Sequence, residues 1–272
     1  MDLFYIDYNL GKIAVHQTQT DAGTILFIHG NSLSSYSFSK QLNSGLADKY
    51  HLVAMDLPGH GDSSWYNNPD NDYSIKSLAG AIKKVISEIN CKNLIIVAHS
   101  LGGHLLLEMC NEINSLKGLM IFGTPPMPAN PDMSAMYNPI EAAGLFFKAD
   151  LTEDEIEALC TNIVLDKSLV DDNFINQVRK THPQFRSACF KAIVSGEITD
   201  EAGTVEKLKI PILIAHGEKD SGIRLDYIEK LNIPALWNSR VQIIKDSGHC
   251  PQFEKPNEFN KLLEEFAVEV FK

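Results

Sequence analysis

Ser100 stands where a short apolar run of this chain meets a segment with helical character. Its surroundings are Ala98-His99-Ser100-Leu101-Gly102-Gly103. A serine flanked by very small residues, entered from a strand and left by a helix, fits a sharp, strained turn that exposes the hydroxyl. The pattern predicts that Ser100 is a nucleophile, and Ala98 in place of the usual first glycine is a mild departure from it.

A serine hydroxyl needs a neighbouring base, and that base needs an acid to orient it. His249 lies in a glycine-containing loop after a strand-like run, where a histidine can project over the edge of a sheet. Asp220 follows the apolar run 210–215, with Glu218 and Asp226 as nearby alternatives. We predict a triad of Ser100, Asp220 and His249.

The segment Ile25-Leu26-Phe27-Ile28-His29-Gly30-Asn31-Ser32 supplies a further part of such a site. An apolar strand breaks at His29-Gly30, which leaves the next backbone N–H groups free of sheet pairing. Such donors, together with the N–H of the residue after the nucleophile, stabilise the oxyanion of a tetrahedral intermediate. We therefore assign the oxyanion hole to the backbone N–H groups of Asn31 and Leu101, which would also contact the substrate.

Eight short, mostly apolar runs alternate with helix-like segments and would position these residues. This alternation predicts an α/β fold with a doubly wound, mostly parallel sheet, whose functional groups lie at the carboxyl ends of the strands. Ser100, Asp220 and His249 each follow such a run. The runs cover residues 3–7, 12–16, 24–29, 51–55, 93–98, 117–122, 211–216 and 240–245.

Between residues 127 and 206 the pattern changes to helices only. It predicts a helical cap inserted into a core formed by residues 1–126 and 207–272. Thr152 is placed to cap one helix, with acidic residues in the first turn, and further helices are predicted at 171–180 and 184–194. Aromatic residues of the cap could line an acyl pocket, although at helical spacing we expect only about one in three to do so. They are Tyr137, Phe146, Phe147, Phe185 and Phe190.

Composition restricts the partners of the protein. With 24 basic and 35 acidic residues, the formal charge of −11 disfavours nucleic acid and anionic membranes but does not repel a small neutral ester. No signal peptide and no membrane span is predicted, and five scattered cysteines indicate reduced thiols in a cytoplasmic protein. No metal-ligand spacing and no phosphate-binding glycine loop is present, so neither a metal nor a cofactor is predicted. The sequence gives no oligomeric state.

Taken together, these segments resemble the α/β-hydrolase superfamily over nearly the whole chain, including the order serine, aspartate, histidine. More narrowly, the chain resembles the metal-independent N-acyl-homoserine lactonases of that superfamily. It departs from them at His99, where a bulkier aromatic is expected, and after about residue 130, where no likeness is apparent. The resemblance rests on His29-Gly30-Asn31-Ser32, Asp56-Leu57-Pro58-Gly59-His60-Gly61, Ser100-Leu101-Gly102-Gly103-His104, Gly118-Leu119-Met120-Ile121-Phe122-Gly123-Thr124-Pro125-Pro126, Leu236-Trp237 and residues 248–259.

The resemblance implies a serine hydrolase that opens the lactone ring of N-acyl-homoserine lactones, a quorum-quenching reaction, through an acyl-enzyme on Ser100. A carboxylesterase acting on small linear esters would use the same residues and is the alternative. A receptor-like α/β-hydrolase with slow turnover is a third interpretation, for which the sequence offers no docking surface.

Overall fold

One sheet of eight strands runs through the computed structural model, which describes residues 1–9, 11–20 and 23–272. The strands are β1 Asp2–Tyr8, β2 Gly11–Gln17, β3 Thr24–Ile28, β4 His51–Met55, β5 Leu94–His99, β6 Leu116–Phe122, β7 Ile212–Gly217 and β8 Gln242–Ile244. The α-helices are α1 Ser39–Leu42, α2 Pro69–Asp72, α3 Ile75–Ile89, α4 Leu101–Met109, α5 Met133–Met136, α6 Glu153–Asn162, α7 Asp172–Arg179, α8 Phe185–Val194, α9 Glu201–Lys207, α10 Leu225–Ile228, α11 Pro251–Glu254 and α12 Pro256–Val270. Short 3₁₀ turns cover Ser35–Phe38, Cys110–Glu112, Ala143–Phe146, Lys167–Leu169 and Trp237–Ser239.

The strands lie in the order β1-β2-β4-β3-β5-β6-β7-β8. The pairings β1–β2 and β2–β4 are antiparallel. The remaining pairings, β4–β3, β3–β5, β5–β6, β6–β7 and β7–β8, are parallel. In register, Ala98 of β5 pairs with Ile28 of β3 and with Ile121 of β6, so the carboxyl ends of these strands lie side by side. The predicted fold class and all eight predicted strands are confirmed.

The core occupies both faces of the sheet, and successive residues of a strand point to opposite faces. In β3, Leu26 and Ile28 pack into the cluster that includes α3 and α4. Ile25 and Phe27 pack into the cluster on the other face, with α1 and α12. Because both faces are covered here, the central strand β3 is buried along its whole length and almost entirely apolar, as predicted for parallel strands.

The segment from 127 to 206, called the cap segment below, contains helices α5 to α9 and no strand among its residues. Thr152 forms a capping box with Glu155 at the start of α6, which confirms Thr152 as the predicted N-terminal capping residue of this helix. Helices α6 and α7 pack in a third apolar cluster together with Leu33, from the loop after β3, and Phe253, from α11. The division into core and cap domains remains a prediction.

No helix in the described ranges combines the length and apolar character needed to cross a membrane. The five cysteines are all free thiols, and four of them are buried.

Candidate active site

Ser100 lies at the turn between β5 and α4 with φ 50° and ψ −117°. A positive φ is strained for a residue with a side chain. The turn is held because the Ser100 N–H donates to the Phe122 carbonyl of β6 at 2.9 Å. It also needs Gly102, since a Cβ there would lie 2.7 Å from the carbonyl oxygens of His29 and Ile28. The backbone therefore has the sharp strand-to-helix turn that the sequence predicted.

Asp220 and His249 follow the neighbouring strands β7 and β8, and the structure brings them together. His249 Nδ1 donates to Asp220 Oδ2 at 2.8 Å. The other oxygen of Asp220 accepts the N–H groups of Gly222 at 2.9 Å and Ile223 at 3.2 Å. The carboxylate is therefore fixed in its loop before it orients the imidazole.

The two rival acids lie elsewhere. Glu218 accepts the Asp246 N–H at 3.3 Å and pairs with Lys219, whereas Asp226 pairs with Arg224 and Lys230 on the surface. Of the three carboxylates, Asp220 is the one in contact with His249.

The charges of this pair stabilise each other. Burial alone would raise the pKa of Asp220, but the charge and hydrogen bond of His249 outweigh burial and lower the pKa to about 2. Burial alone would lower the pKa of His249, but Asp220 outweighs it, so that pKa lies above its ordinary value of 6.5. An ionised Asp220 beside a histidine of raised basicity suits general-base chemistry.

The predicted oxyanion donors lie next to the strained serine. Leu101 is the first residue of α4, so its N–H has no acceptor within the helix. Asn31 follows β3, and its side chain donates to the Phe146 carbonyl of the cap segment at 2.9 Å. The buried guanidinium of Arg186, in the cap segment, donates to the hydroxyl of Ser32 in the loop after β3 at 3.2 Å. The loop after β3 and the cap segment are thus fixed to each other beside Ser100.

His99 has a role that the sequence did not suggest. Its Nε2 lies 2.9 Å from the His249 carbonyl oxygen, and because a carbonyl only accepts, Nε2 carries the proton. Its ring also stacks on Phe122 at 4.8 Å. His99, treated above only as a departure from the lactonase pattern, therefore holds the backbone of His249. Gly123 leaves room for the same imidazole, since a Cβ there would lie 2.7 Å from His249 Cε1.

A cavity of about 290 Å³ opens over these groups, and Ser100, Asp220, His249, Asn31 and Leu101 all line it. The expectation that only a minority of the cap aromatics would reach this space is wrong, because four of the five line it: Tyr137, Phe146, Phe147 and Phe190. The exception is Phe185, which is fully buried against His60 and Tyr73. Helical spacing identifies a buried face, but it does not distinguish cap core from a cavity wall.

A second histidine–carboxylate pair borders the cavity. His104, one turn after Ser100 in α4, contacts Glu201 of α9. His104 lies in the segment predicted as a helix after the nucleophile, but its partner was not predicted. Glu201 is 97 residues further along the chain, and no local pattern indicates it.

One cluster bears on the prediction that no metal site is present. Oxygen and nitrogen atoms of His16, Asp56 and Asp62 lie within 4.8 Å of one another. Asp56 already accepts the N–H groups of Ser35 and Asp62 at 2.7 and 2.8 Å, and Asp62 pairs with Lys180. These contacts account for the carboxylates as turn-stabilising groups.

The chain is similar in sequence and structure to known hydrolases. Residues 23–256 match the family model described as alpha/beta hydrolase fold. A variant of the N-acyl homoserine lactonase AidH, solved with N-hexanoyl homoserine lactone, is similar with a TM-score of 0.94 and 27% identity, over 99% of this chain and 98% of that chain. The uncharacterized hydrolase YugF of Bacillus subtilis is 24% identical over 259 residues, 92% of each chain. An esterase from Exiguobacterium antarcticum has a TM-score of 0.77 at 19% identity, over 95% of this chain and 96% of that chain.

These findings confirm the predicted fold class, the resemblance to homoserine lactonases and the prediction of an ester- or lactone-hydrolysing enzyme. Because the family model spans most of its length, the chain belongs to the alpha/beta hydrolase fold family.

Proposed function

We propose that this protein hydrolyses the lactone ring of N-acyl-homoserine lactones through an acyl-enzyme on Ser100. The observation that carries the proposal is the meeting of a strained Ser100 and the Asp220–His249 pair in one cavity, joined at 2.8 Å between the carboxylate and Nδ1. The similarity to the lactonase AidH over nearly the full length of both chains supports the lactone as substrate.

In the first step, His249 Nε2 accepts the proton of the Ser100 hydroxyl while the serine oxygen attacks the lactone carbonyl carbon. The N–H groups of Asn31 and Leu101 stabilise the resulting oxyanion. As the ring C–O bond breaks, His249 returns the proton to the leaving alkoxide. Asp220 holds the imidazole and stabilises its charged form.

In the second step, a water molecule loses a proton to His249 and attacks the ester carbon of the acyl-enzyme. The bond to Ser100 breaks, the serine oxygen regains the proton, and the product leaves as a carboxylate with release of a proton. Since the alcohol formed in the first step stays attached to the acyl group, it can reclose the ring. Hydrolysis therefore depends on admitting water past the cap segment.

The walls of the cavity suit an acyl tail. The side formed by the cap segment is mostly apolar, with Met127, Met133, Ile140, Phe147 and Ile193 among its residues. Each buried CH₂ of a tail contributes up to about 0.8 kcal/mol. The kcat/KM should therefore rise with chain length until the cavity is filled.

Hydrolysis of small linear esters is the second candidate function. The esterase of the same fold supports it, because an identical triad cleaves either kind of ester. The two candidates differ in the leaving alcohol, which is free in one and attached in the other.

The test is a turnover panel. Purified protein receives homoserine lactones with acyl chains of four to ten carbons, followed with a pH indicator and by product mass, and p-nitrophenyl esters of matched length. Ser100→Ala should abolish turnover and labelling by a fluorophosphonate. Ser221→Ala, at a second serine that lines the cavity, should still be labelled and serves as the matched control.

Rapid cleavage of p-nitrophenyl esters without any lactone opening would replace the lactonase proposal with the linear-ester function. A stoichiometric fluorophosphonate adduct on the Ser100→Ala protein would refute the assignment of the nucleophile.

A further inference from the structure

One polar group at the cavity wall, formed by Tyr137, His104 and Glu201 and called the Tyr137 group below, has no role in the hydrolytic mechanism. Glu201 is fully buried, and both its oxygens lie within 3.0 Å of His104 Nδ1. Glu201 also accepts the Met127 N–H at 2.8 Å. The hydroxyl of Tyr137 lies 3.4 Å from His104 Nε2. His104 and Tyr137 both line the cavity, on the wall next to Ser100.

The hydrogen-bond partners determine what this group offers to a ligand. The Glu201 oxygens accept from the Met127 N–H and from Nδ1, so Nδ1 of His104 carries a proton. In the neutral imidazole with this tautomer, Nε2 is an acceptor. Nε2 then takes the Tyr137 O–H, which leaves the phenolic oxygen with lone pairs and no proton to give. A ligand that meets this oxygen must donate a hydrogen bond.

The Tyr137 group is held in place beside the nucleophile by backbone contacts. The His104 N–H of α4 donates to the Ser100 carbonyl at 3.3 Å, so the backbones of the two residues are in direct contact. Tyr137 forms a bridge with Ile223, and the Asn138 N–H donates to the Gly222 carbonyl at 2.9 Å. Gly222 and Ile223 are the residues whose N–H groups hold Asp220. Tyr137 is thus connected through the backbone to the loop that carries the acid.

We propose that Tyr137, oriented by His104 and Glu201, accepts the N–H of a secondary amide attached to the carbon next to the cleaved carbonyl. An amide next to the attacked carbon would lie beside this wall, because Tyr137 and His104 line the same cavity as Ser100 and His104 is bonded to the Ser100 backbone. The proposal rests on the proposed ester or lactone hydrolysis and specifies its substrate class as α-amido esters and lactones. Tyr137 contacts the substrate, and His104 and Glu201 are positioning residues.

The experiment compares kcat/KM for three lactones with a six-carbon substituent: N-hexanoyl homoserine lactone, its N-methylated analogue, and an α-hexyl-γ-butyrolactone without an amide. For the wild type, the secondary amide should exceed the other two by about tenfold. In Tyr137→Phe this ratio should fall about tenfold, through KM rather than kcat, because the contact is made in ground state and transition state alike. Glu201→Gln should reduce the ratio by a smaller factor, because the Gln carbonyl can still accept from Nδ1.

The matched control is Tyr227→Phe. Tyr227 donates to the Pro126 carbonyl at 2.6 Å near the start of the cap segment and does not belong to the cavity wall. Its loss should leave the substrate ratio unchanged. An equal loss on all three lactones in Tyr137→Phe would give Tyr137 a purely structural role, and an N-methyl amide as good as the secondary amide would show that the N–H is not recognised; either result overturns the proposal.

A failure of the lactone assignment is separable from a failure of this inference. If the protein opens no lactone but cleaves p-nitrophenyl esters, the same comparison is made with the p-nitrophenyl esters of N-acetylglycine and of butyric acid. A preference for the amide ester that Tyr137→Phe removes would support amide recognition. No preference in the wild type would refute it.

Discussion

Two histidine–carboxylate pairs border one cavity, with almost the same geometry and opposite electrostatics. His249 meets Asp220 at 2.8 Å, and His104 meets Glu201 at 2.9 Å. The pKa of Asp220 is lowered to about 2, because the charge and hydrogen bond of His249, with smaller effects from His216 and the Gly222 N–H, outweigh burial. The pKa of Glu201 is raised, because its burial prevails over His104 and the Met127 N–H, and Glu108 adds to the effect. The contact distance alone therefore does not separate a catalytic pair from a binding pair.

The two pairs differ in their surroundings. The side chain of His249 is 18% exposed and that of His104 is 7% exposed, so water has better access to the imidazole of the first pair. Asp220 accepts two backbone N–H groups, both from its own loop. Glu201 accepts one backbone N–H group, from the distant residue Met127. The pair with the better-solvated imidazole and the better-supported carboxylate suits proton transfer. The drier pair suits a fixed hydrogen bond.

Substitution of the two histidines tests this contrast with the largest effect. His249→Gln should lower kcat by roughly 10⁶-fold, since loss of the base leaves only binding and oxyanion stabilisation. His104→Gln should lower kcat/KM by roughly tenfold at most, because it disturbs the orientation of Tyr137 and hence one hydrogen bond to the substrate. Steady-state kinetics on the best substrate of the panel measures both, and similar losses in the two variants would erase the distinction.

The carboxylates provide the second test. Asp220→Asn should reduce kcat by roughly 10⁴-fold, because the imidazole loses both its orientation and the partner of its charged form. Glu201→Gln should stay within about tenfold. The surface variants Glu218→Gln and Asp226→Asn should change kcat less than twofold. If Glu218→Gln proved the most damaging, the acid would have to be assigned to Glu218.

How far the sequence predicts this site depends on how local each signal is. The nucleophile turn is encoded within six consecutive residues, 98–103, and Asp220 and His249 directly follow strands whose apolar runs are visible. Parallel strands bring their carboxyl ends together, so the triad follows from chain order and topology. The central parallel strands are predictable because burial on both faces makes them mostly apolar, as in β3 and β7.

The rest of the site depends on contacts between distant segments. The pairing of His104 with Glu201 spans 97 residues and requires the helix-to-helix packing of α4 and α9. The expectation that few cap aromatics line the cavity was wrong for the same reason, because the position of the cavity depends on distant segments. Phe185 and Phe190 share α8, but of the two only Phe190 lines the cavity. The role of His99 depends on the His249 carbonyl, 150 residues away.

The pH dependence of kcat/KM gives a third, smaller effect. His249 accepts the Ser100 proton only when it is neutral, and its pKa lies above 6.5. Activity should therefore fall tenfold for each pH unit below that pKa, with a midpoint above 6.5. In Asp220→Asn the midpoint of the residual activity should move to lower pH, because burial then acts on the imidazole without the opposing carboxylate. Glu201→Gln should leave the midpoint of the pH profile unchanged. A shifted midpoint in that variant would mean that the two histidine–carboxylate pairs titrate together.

The smallest effect concerns the residue that links His249 to the nucleophile strand. His99→Phe keeps an aromatic ring against Phe122 but removes the donor to the His249 carbonyl. The loss of one hydrogen bond of about 1 kcal/mol should lower kcat roughly fivefold with little change in KM, because His249 is displaced from its best position in the transition state. His51→Phe, at the opposite end of β4 from the site, is the control and should leave kcat unchanged. A rise in KM at constant kcat in His99→Phe would show instead that the ring shapes the cavity.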